Sequence, residues 1–277
     1  RNISEHYDLN NDFFKLWLDE SMTYSSGIFN KSGTNLHEAQ IEKYERLCSE
    51  LKIKQSDHIL EIGSGWGGFS IYAAENYGCK ITTITISEEQ YKYVKNLIAG
   101  KKLENKVEVL LKDYREITGK FDKIVSIEML EAVGHEYLPK YFSKINELLK
   151  PDGAVGLQVI TSHDSNYHQL RKSVDWIQKY IFPGSLLPSV GAINSAVNEK
   201  SNLYMHDLKN IGLDYARTLN EWRSKFNSRL NEVYRLNFDG AFVRKWNYYL
   251  SYCEAAFSMR NINAVQIIYT RPNNRNL

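Results

Sequence analysis

Short apolar runs alternate with longer amphipathic stretches along the first 160 residues, and that alternation predicts most of the elements. Ala39, Ile41, Tyr44, Leu47 and Leu51 recur at helical spacing. Asn35, with Glu38 three residues on, predicts a capping box at that helix's start. A strand follows at 58–62, then a helix ending near Gly78, a residue suited to a left-handed cap. Further strands are predicted over 80–86, 107–111, 121–127 and 154–160. Ser87 with Gln90 predicts a second capping box, on a helix ending at Gly100. A helix over 136–149 is expected to stop at Pro151-Asp152-Gly153. Strands alternating with helices at this spacing predict an α/β chain with a parallel, doubly wound sheet.

Elsewhere the rhythm differs. Residues 1–35 read as short helices and loops. Residues 162–200 read as helical and irregular, broken at Ile181-Phe182-Pro183-Gly184 and Leu187-Pro188. A strand is predicted over 203–209, two aromatic-rich helices over 219–260, and a last strand over 265–269. The chain divides on this reading into an N-terminal segment (1–52), a cofactor-binding core (53–161), covering helices with a late strand (162–263), and a last strand and tail (264–277).

Composition narrows the picture. A net charge of +2 imposes no global field for nucleic acid. The 19 tyrosines, 11 phenylalanines and 5 tryptophans need a core or an apolar pocket. Cys48, Cys79 and Cys253 form neither a disulfide framework nor a metal motif, which suits a reducing cytoplasm. His135 and His163 lack ligand spacing, so no metal is expected. No apolar run of about 18 residues is present to span a membrane, and no signal peptide is visible. The chain begins at Arg1 rather than Met, which leaves room for a preceding piece.

The densest chemistry lies at Leu60-Glu61-Ile62-Gly63-Ser64-Gly65-Trp66-Gly67-Gly68. A glycine-rich turn between strand and helix lets a ligand lie against bare backbone, with unpaired N–H groups at the helix start. Gly63, Gly65 and Gly68 also fit the dinucleotide fingerprint. Two features favour S-adenosylmethionine over NAD. Glu61 precedes the first glycine by two residues, where a carboxylate can order the loop and face a cationic ligand. The next strand ends in Thr85-Ile86-Ser87, with no acid at its tip to bind a ribose. Asp113-Tyr114 follows the third strand, where an adenine would lie.

Several segments in order resemble the cyclopropane-fatty-acid synthase family of S-adenosylmethionine-dependent methyltransferases. They are His6-Tyr7-Asp8-Leu9 with Asp12-Phe13-Phe14, Thr23-Tyr24-Ser25, the glycine loop, Thr85 through Gln90, Ser126 through His135, Tyr180 through Gly184, and Asp214 through Leu219. The Glu-Met-x-Glu-Ala-Val-Gly wording is closest to the branch of plant-type and some bacterial members. The resemblance implies a Rossmann-like seven-stranded sheet with its last strand antiparallel, and a helical lid over an apolar tunnel. It implies methyl transfer to the cis double bond of an acyl chain, usually on a phospholipid, with a bound bicarbonate as the base that closes a cyclopropane. The implied cofactor residues are Tyr24, Ser25, Glu61, Gly63, Gly65, Gly67, Thr85, Ile86, Gln90, Asp113, Tyr114 and Ile127. The implied bicarbonate-site residues are Glu131 and Tyr215, beside the Ile127 carbonyl. Ser26 stands where many members have cysteine and Gln158 where bacterial synthases often have histidine; both can still donate hydrogen bonds. Cys253 matches a cysteine sometimes proposed as catalytic, although the reaction needs no thiol.

Loss of a proton from a different carbon would give a methylene-branched chain, reducible to a methyl branch. An amine methyltransferase prefers Glu-His after the fourth strand; here Ala132 follows Glu131. A non-catalytic relative would be expected to lack Glu61, Glu131 or the glycines, and all are present. Between Arg217 and Lys245 basic residues exceed acidic ones by four, which suggests salt-sensitive contact with anionic headgroups at the inner membrane surface.

Overall fold

A computed structural model describes residues 9, 11–272, 274, 275 and 277. The His6–Asp8 part of the N-terminal signature lies outside the described residues. The strands are β1 (His58–Ile62), β2 (Lys80–Thr85), β3 (Val107–Leu111), β4 (Phe121–Ile127), β5 (Leu149–Thr161), β6 (Tyr204–Asn210) and β7 (Asn263–Thr270). They form one sheet in the order β3-β2-β1-β4-β5-β7-β6. Neighbours among the first five pair parallel, and β7 runs antiparallel to both β5 and β6. The strand order reverses between β1 and β4. Loops leaving those two strands diverge to opposite sides, which opens a crevice at their C-terminal ends.

Both sheet faces are apolar, as a sheet covered on both sides requires. Leu60, Ile124, Val155 and Ile267 pack on one face with Tyr141, Phe142 and Ile145. Their chain neighbours Ile59, Val125, Ala154 and Ile268 pack on the other with Leu47, Leu51 and Phe69. This is the two-residue period of a strand serving two cores. A third cluster is aromatic. Phe13, Phe14 and Trp17 meet Trp222, Phe226 and Trp246 from the late helices. The Trp17 and Trp222 rings lie edge-on, 5.5 Å apart.

Four local expectations need correction. The helix before β5 spans Leu138–Leu148, and β5 begins at Leu149. Pro151-Asp152-Gly153 therefore belongs to β5. A register shift between Phe121 and Lys123 absorbs it, since Phe121 pairs with Leu149 but Lys123 with Ala154. Residues 219–260 hold parts of three helices, Gly212–Ser228, Leu230–Arg235 and Gly240–Ser258. The chain breaks at Asn237, which has a left-handed φ of 66°, and Asp239 caps the last helix. The capping box at Asn35 and Glu38 forms, but that at Ser87 is half made. Thr85 Oγ1 accepts from the Ser87 N–H and donates to Gln90 Oε1, drawing the Gln90 side chain away.

Candidate active site

The glycine loop lies at the β1 end of the crevice. Gly63, Gly65 and Gly67 all have left-handed φ. The Gly63 and Ser64 N–H groups donate to the Ile84 carbonyl, tying the loop to β2. Gly68 opens the helix Gly68–Tyr77, and a Cβ there would fall 2.3 Å from Tyr44 Oη. Tyr44 in turn holds Thr23 Oγ1 at 2.6 Å. The N-terminal segment thus closes over bare backbone.

A cavity of about 400 Å³ occupies the crevice. All the residues expected to hold the cofactor line it except Gly67, with Gly68 on the wall instead. Gly67 faces Val94, whose methyls would lie 3.4 Å from an added Cβ. Asp113 is held by Arg115 through Nε and a second guanidinium nitrogen, and those bonds keep its carboxyl below the usual range.

Glu61 is buried and accepts from Ser70 Oγ and from Thr83 Oγ1, the latter at 2.6 Å. Burial pushes its pKa up to about 7 against those bonds and the charge of Lys43. Lys43 is fully buried and donates to Ser25 Oγ at 2.6 Å. Burial lowers its pKa to about 7, opposed by Glu128, Asp19 and Glu61. Sequence reasoning missed this residue. The available signal was a lysine four residues from both Ala39 and Leu47, on the apolar face of its helix.

Glu128, at the end of β4, was also missed as a site residue. It has a left-handed φ of 50° and lines the cavity. Its Oε1 accepts from the Ser26 N–H at 2.9 Å and from Gln158 Nε2 at 2.8 Å. Its Oε2 accepts from the Tyr215 hydroxyl at 2.7 Å. Gln266 Nε2 donates to Gln158 Oε1 at 2.9 Å, which fixes the amide so that its nitrogen faces Glu128. Ser26 therefore serves through its backbone; its hydroxyl donates to the Gly27 carbonyl. The structure brings Ser26, Gln158 and Tyr215 together around a side chain of the protein.

Glu131 lies next to this group. Its Oε1 accepts from the Ile160 N–H at 2.5 Å, while the buried Oε2 has no hydrogen-bond partner. Burial and the Glu128 charge push its pKa up to about 8. Cys253 sits apart in the helix Gly240–Ser258 among the aromatic residues, and burial pushes its thiol up to about 12. No cluster of metal-ligating side chains is found among the described residues.

This sheet order, with a glycine loop and cavity at its switch point, defines a class I methyltransferase. The family model for mycolic acid cyclopropane synthetase matches residues 1–267. The chain belongs to that family of S-adenosylmethionine-dependent methyltransferases, enzymes that transfer one-carbon groups. It is 40% identical over 273 residues to the tuberculostearic acid methyltransferase UfaA1 of Mycobacterium tuberculosis, covering 96% of this chain and 64% of that protein. It is 39% identical over 268 residues to the cyclopropane-fatty-acyl-phospholipid synthase of Escherichia coli, covering 96% and 67%. The chain thus spans about two thirds of the length of these relatives. The mycolic acid cyclopropane synthase CmaA1, solved with SAH and CTAB, superposes with a TM-score of 0.91 at 28% identity, covering 98% of this chain and 97% of that one.

S-adenosylmethionine fits the residues present. The cavity has one wall of left-handed glycines and a carboxylate-bearing floor at Glu61 and Glu128, suited to a cationic sulfonium. Bicarbonate does not fit. The Ser26, Gln158 and Tyr215 donors expected to hold it are all engaged by Glu128.

Proposed function

We propose that this chain methylates the cis double bond of an unsaturated acyl chain carried on a phospholipid. The observation that carries this reading is the hydrogen-bonded Glu128 carboxylate opening into the cofactor cavity. When bound, S-adenosylmethionine supplies an electrophilic methyl group. The glycine loop, Thr85, Ile86 and Gln90 would hold its ribose side, Asp113 and Tyr114 its adenine, and Tyr24, Ser25, Glu61 and Ile127 its amino-acid end. An alkene is a weak nucleophile, so alignment in a dry site supplies most of the acceleration. Positive charge then develops on the acyl chain. Tyr24 lines the cavity and packs against Trp17 and Trp222, and aromatic faces stabilise such a cation by about 0.5–2 kcal/mol each.

Closure of a cyclopropane is the first reading of the product, in keeping with the family description. A methylene-branched chain is the second, favoured by the 40% identity to a tuberculostearic acid methyltransferase. Incubation with S-adenosylmethionine and vesicles of cis-monounsaturated phospholipid, followed by mass spectrometry of the acyl chains, separates them. A gain of CH₂ without an exocyclic alkene supports the ring; an exocyclic alkene supports the branch. Methylation of added amines with none of lipid would refute both.

Peripheral binding to anionic membranes is part of the same proposal. No helix among the described residues is long and apolar enough to cross a membrane. Within the basic stretch, Arg223 pairs with Glu254, Arg229 with Glu232, and Arg217 lies over the Phe29 ring, so only part of the excess charge is left for headgroups. Retention on anionic vesicles at low salt and release at high salt are expected; indifference to salt or failure to bind would remove this part.

A further inference from the structure

We infer that Glu128 is itself the proton acceptor of the reaction, in place of a bicarbonate ion. The inference rests on the acyl-methylation reading above. An ionised carboxylate offers about four lone-pair sites. Ser26 and Gln158 fill both on Oε1, and Tyr215 fills one on Oε2. One site on Oε2 is left to receive a proton. A bicarbonate at the same donors would have to displace this carboxylate, or add another anion beside both Glu128 and Glu131.

The two glutamates are not equivalent. Burial raises the Glu128 pKa, but the nearby charge of Lys43 and three hydrogen-bond donors oppose that rise and favour the ionised form. Glu131 has one backbone donor and a buried oxygen without a partner, which favours its protonated form. Neighbouring carboxyls with such unequal hydrogen bonding take opposite roles, and Glu128 is the base.

The step balances without an added reactant. The alkene π pair forms the new C–C bond, and the methyl–sulfur bond breaks with its pair left on sulfur. Glu128 Oε2 then takes a proton from the alkylated chain. The released C–H pair closes the ring or, after hydride migration, forms the exocyclic double bond.

The left-handed φ at Glu128 favours glycine, so Glu128→Gly suits the backbone and leaves the three donors free for an added anion. Glu128→Gln keeps the site filled. Acyl methylation should run equally fast for the wild type in CO₂-depleted and bicarbonate-containing buffer. Both variants should lose about 100-fold or more. Bicarbonate or formate should restore at least about a tenth of the lost rate to Glu128→Gly and none to Glu128→Gln. A wild type that slows when CO₂ is removed and recovers with bicarbonate overturns the inference, as does full activity of Glu128→Gly without added anion. Either result leaves the acyl-methylation reading standing. A wild type that methylates no acyl chain under any condition overturns that reading, and this inference with it.

Discussion

The Tyr215 hydroxyl donates to Glu128 Oε2 at 2.7 Å, across 87 positions of sequence. The bond joins the helix Gly212–Ser228 to the end of β4. Stacking on Phe257, with ring centroids 4.4 Å apart, holds the tyrosine in place. Hydrogen bonds to charged groups contribute about 1.5–3 kcal/mol. Tyr215→Phe should therefore slow acyl methylation by about 10- to 100-fold. Cofactor affinity, followed by titration calorimetry, should change little, because Tyr215 does not line the cavity.

Gly68 is constrained by a neighbour and Gly65 only by its own backbone. A Cβ at Gly68 meets Tyr44 Oη at 2.3 Å, whereas one at Gly65 meets nothing within 4 Å. Gly65→Ala should cost about 1–2 kcal/mol from its left-handed φ. Gly68→Ala should lower Tm further and weaken S-adenosylmethionine binding. Adding Tyr44→Phe should recover part of that loss, because it removes the colliding oxygen. Thermal unfolding of the single and double variants checks the order.

Glu131 makes stability depend on pH with a defined sign. Its pKa is raised from 4.5 to about 8 by burial, so the fold prefers its protonated form. That stabilisation is complete below about pH 4.5 and is lost as pH rises through about 8. Glu131→Gln is neutral throughout. The Tm of the variant minus that of the wild type should therefore rise from pH 5 to pH 8. A flat or falling difference would show that Glu131 ionises freely in the folded chain.

Cys253 should be dispensable. Its thiol is pushed up to about 12 by burial, so almost no thiolate forms at neutral pH. Cys253→Ala should retain acyl methylation within about twofold, and iodoacetamide should inactivate the native wild type only slowly. Rapid inactivation, or loss of activity in the variant, would restore a chemical role for the thiol.

The elements that could be read in advance are those set by neighbouring residues. The alternation along β1 to β4, the Asn35 capping box and the Gly78 cap depend on side chains within a few positions of each other. Pro151-Asp152-Gly153 misled because a turn-forming tripeptide can also be taken up by an irregular strand, provided its partner strand shifts register. The break at Asn237 went unread because a single left-handed asparagine leaves little trace in a hydrophobic pattern.

The glycine loop, the acid-free tip of β2 and the family wording were enough to place the cofactor crevice, since all of them lie in local segments around the switch point. Glu131 and Tyr215 could be named from the same wording, but their partners could not. Glu128 and Glu131 stand three residues apart in one segment and differ only in surroundings. Glu128 takes its donors from positions 26, 158 and 215, while Glu131 takes one from position 160 and leaves an oxygen bare. Spacing rules reach about one helical turn or one hairpin, and these bonds cross the sheet. The chain's order of residues thus determined that a methyl donor is held at the end of β1. Only the packing of the N-terminal segment, β5 and the helix Gly212–Ser228 against β4 decided which carboxylate receives the donors, because that depends on where distant backbones meet.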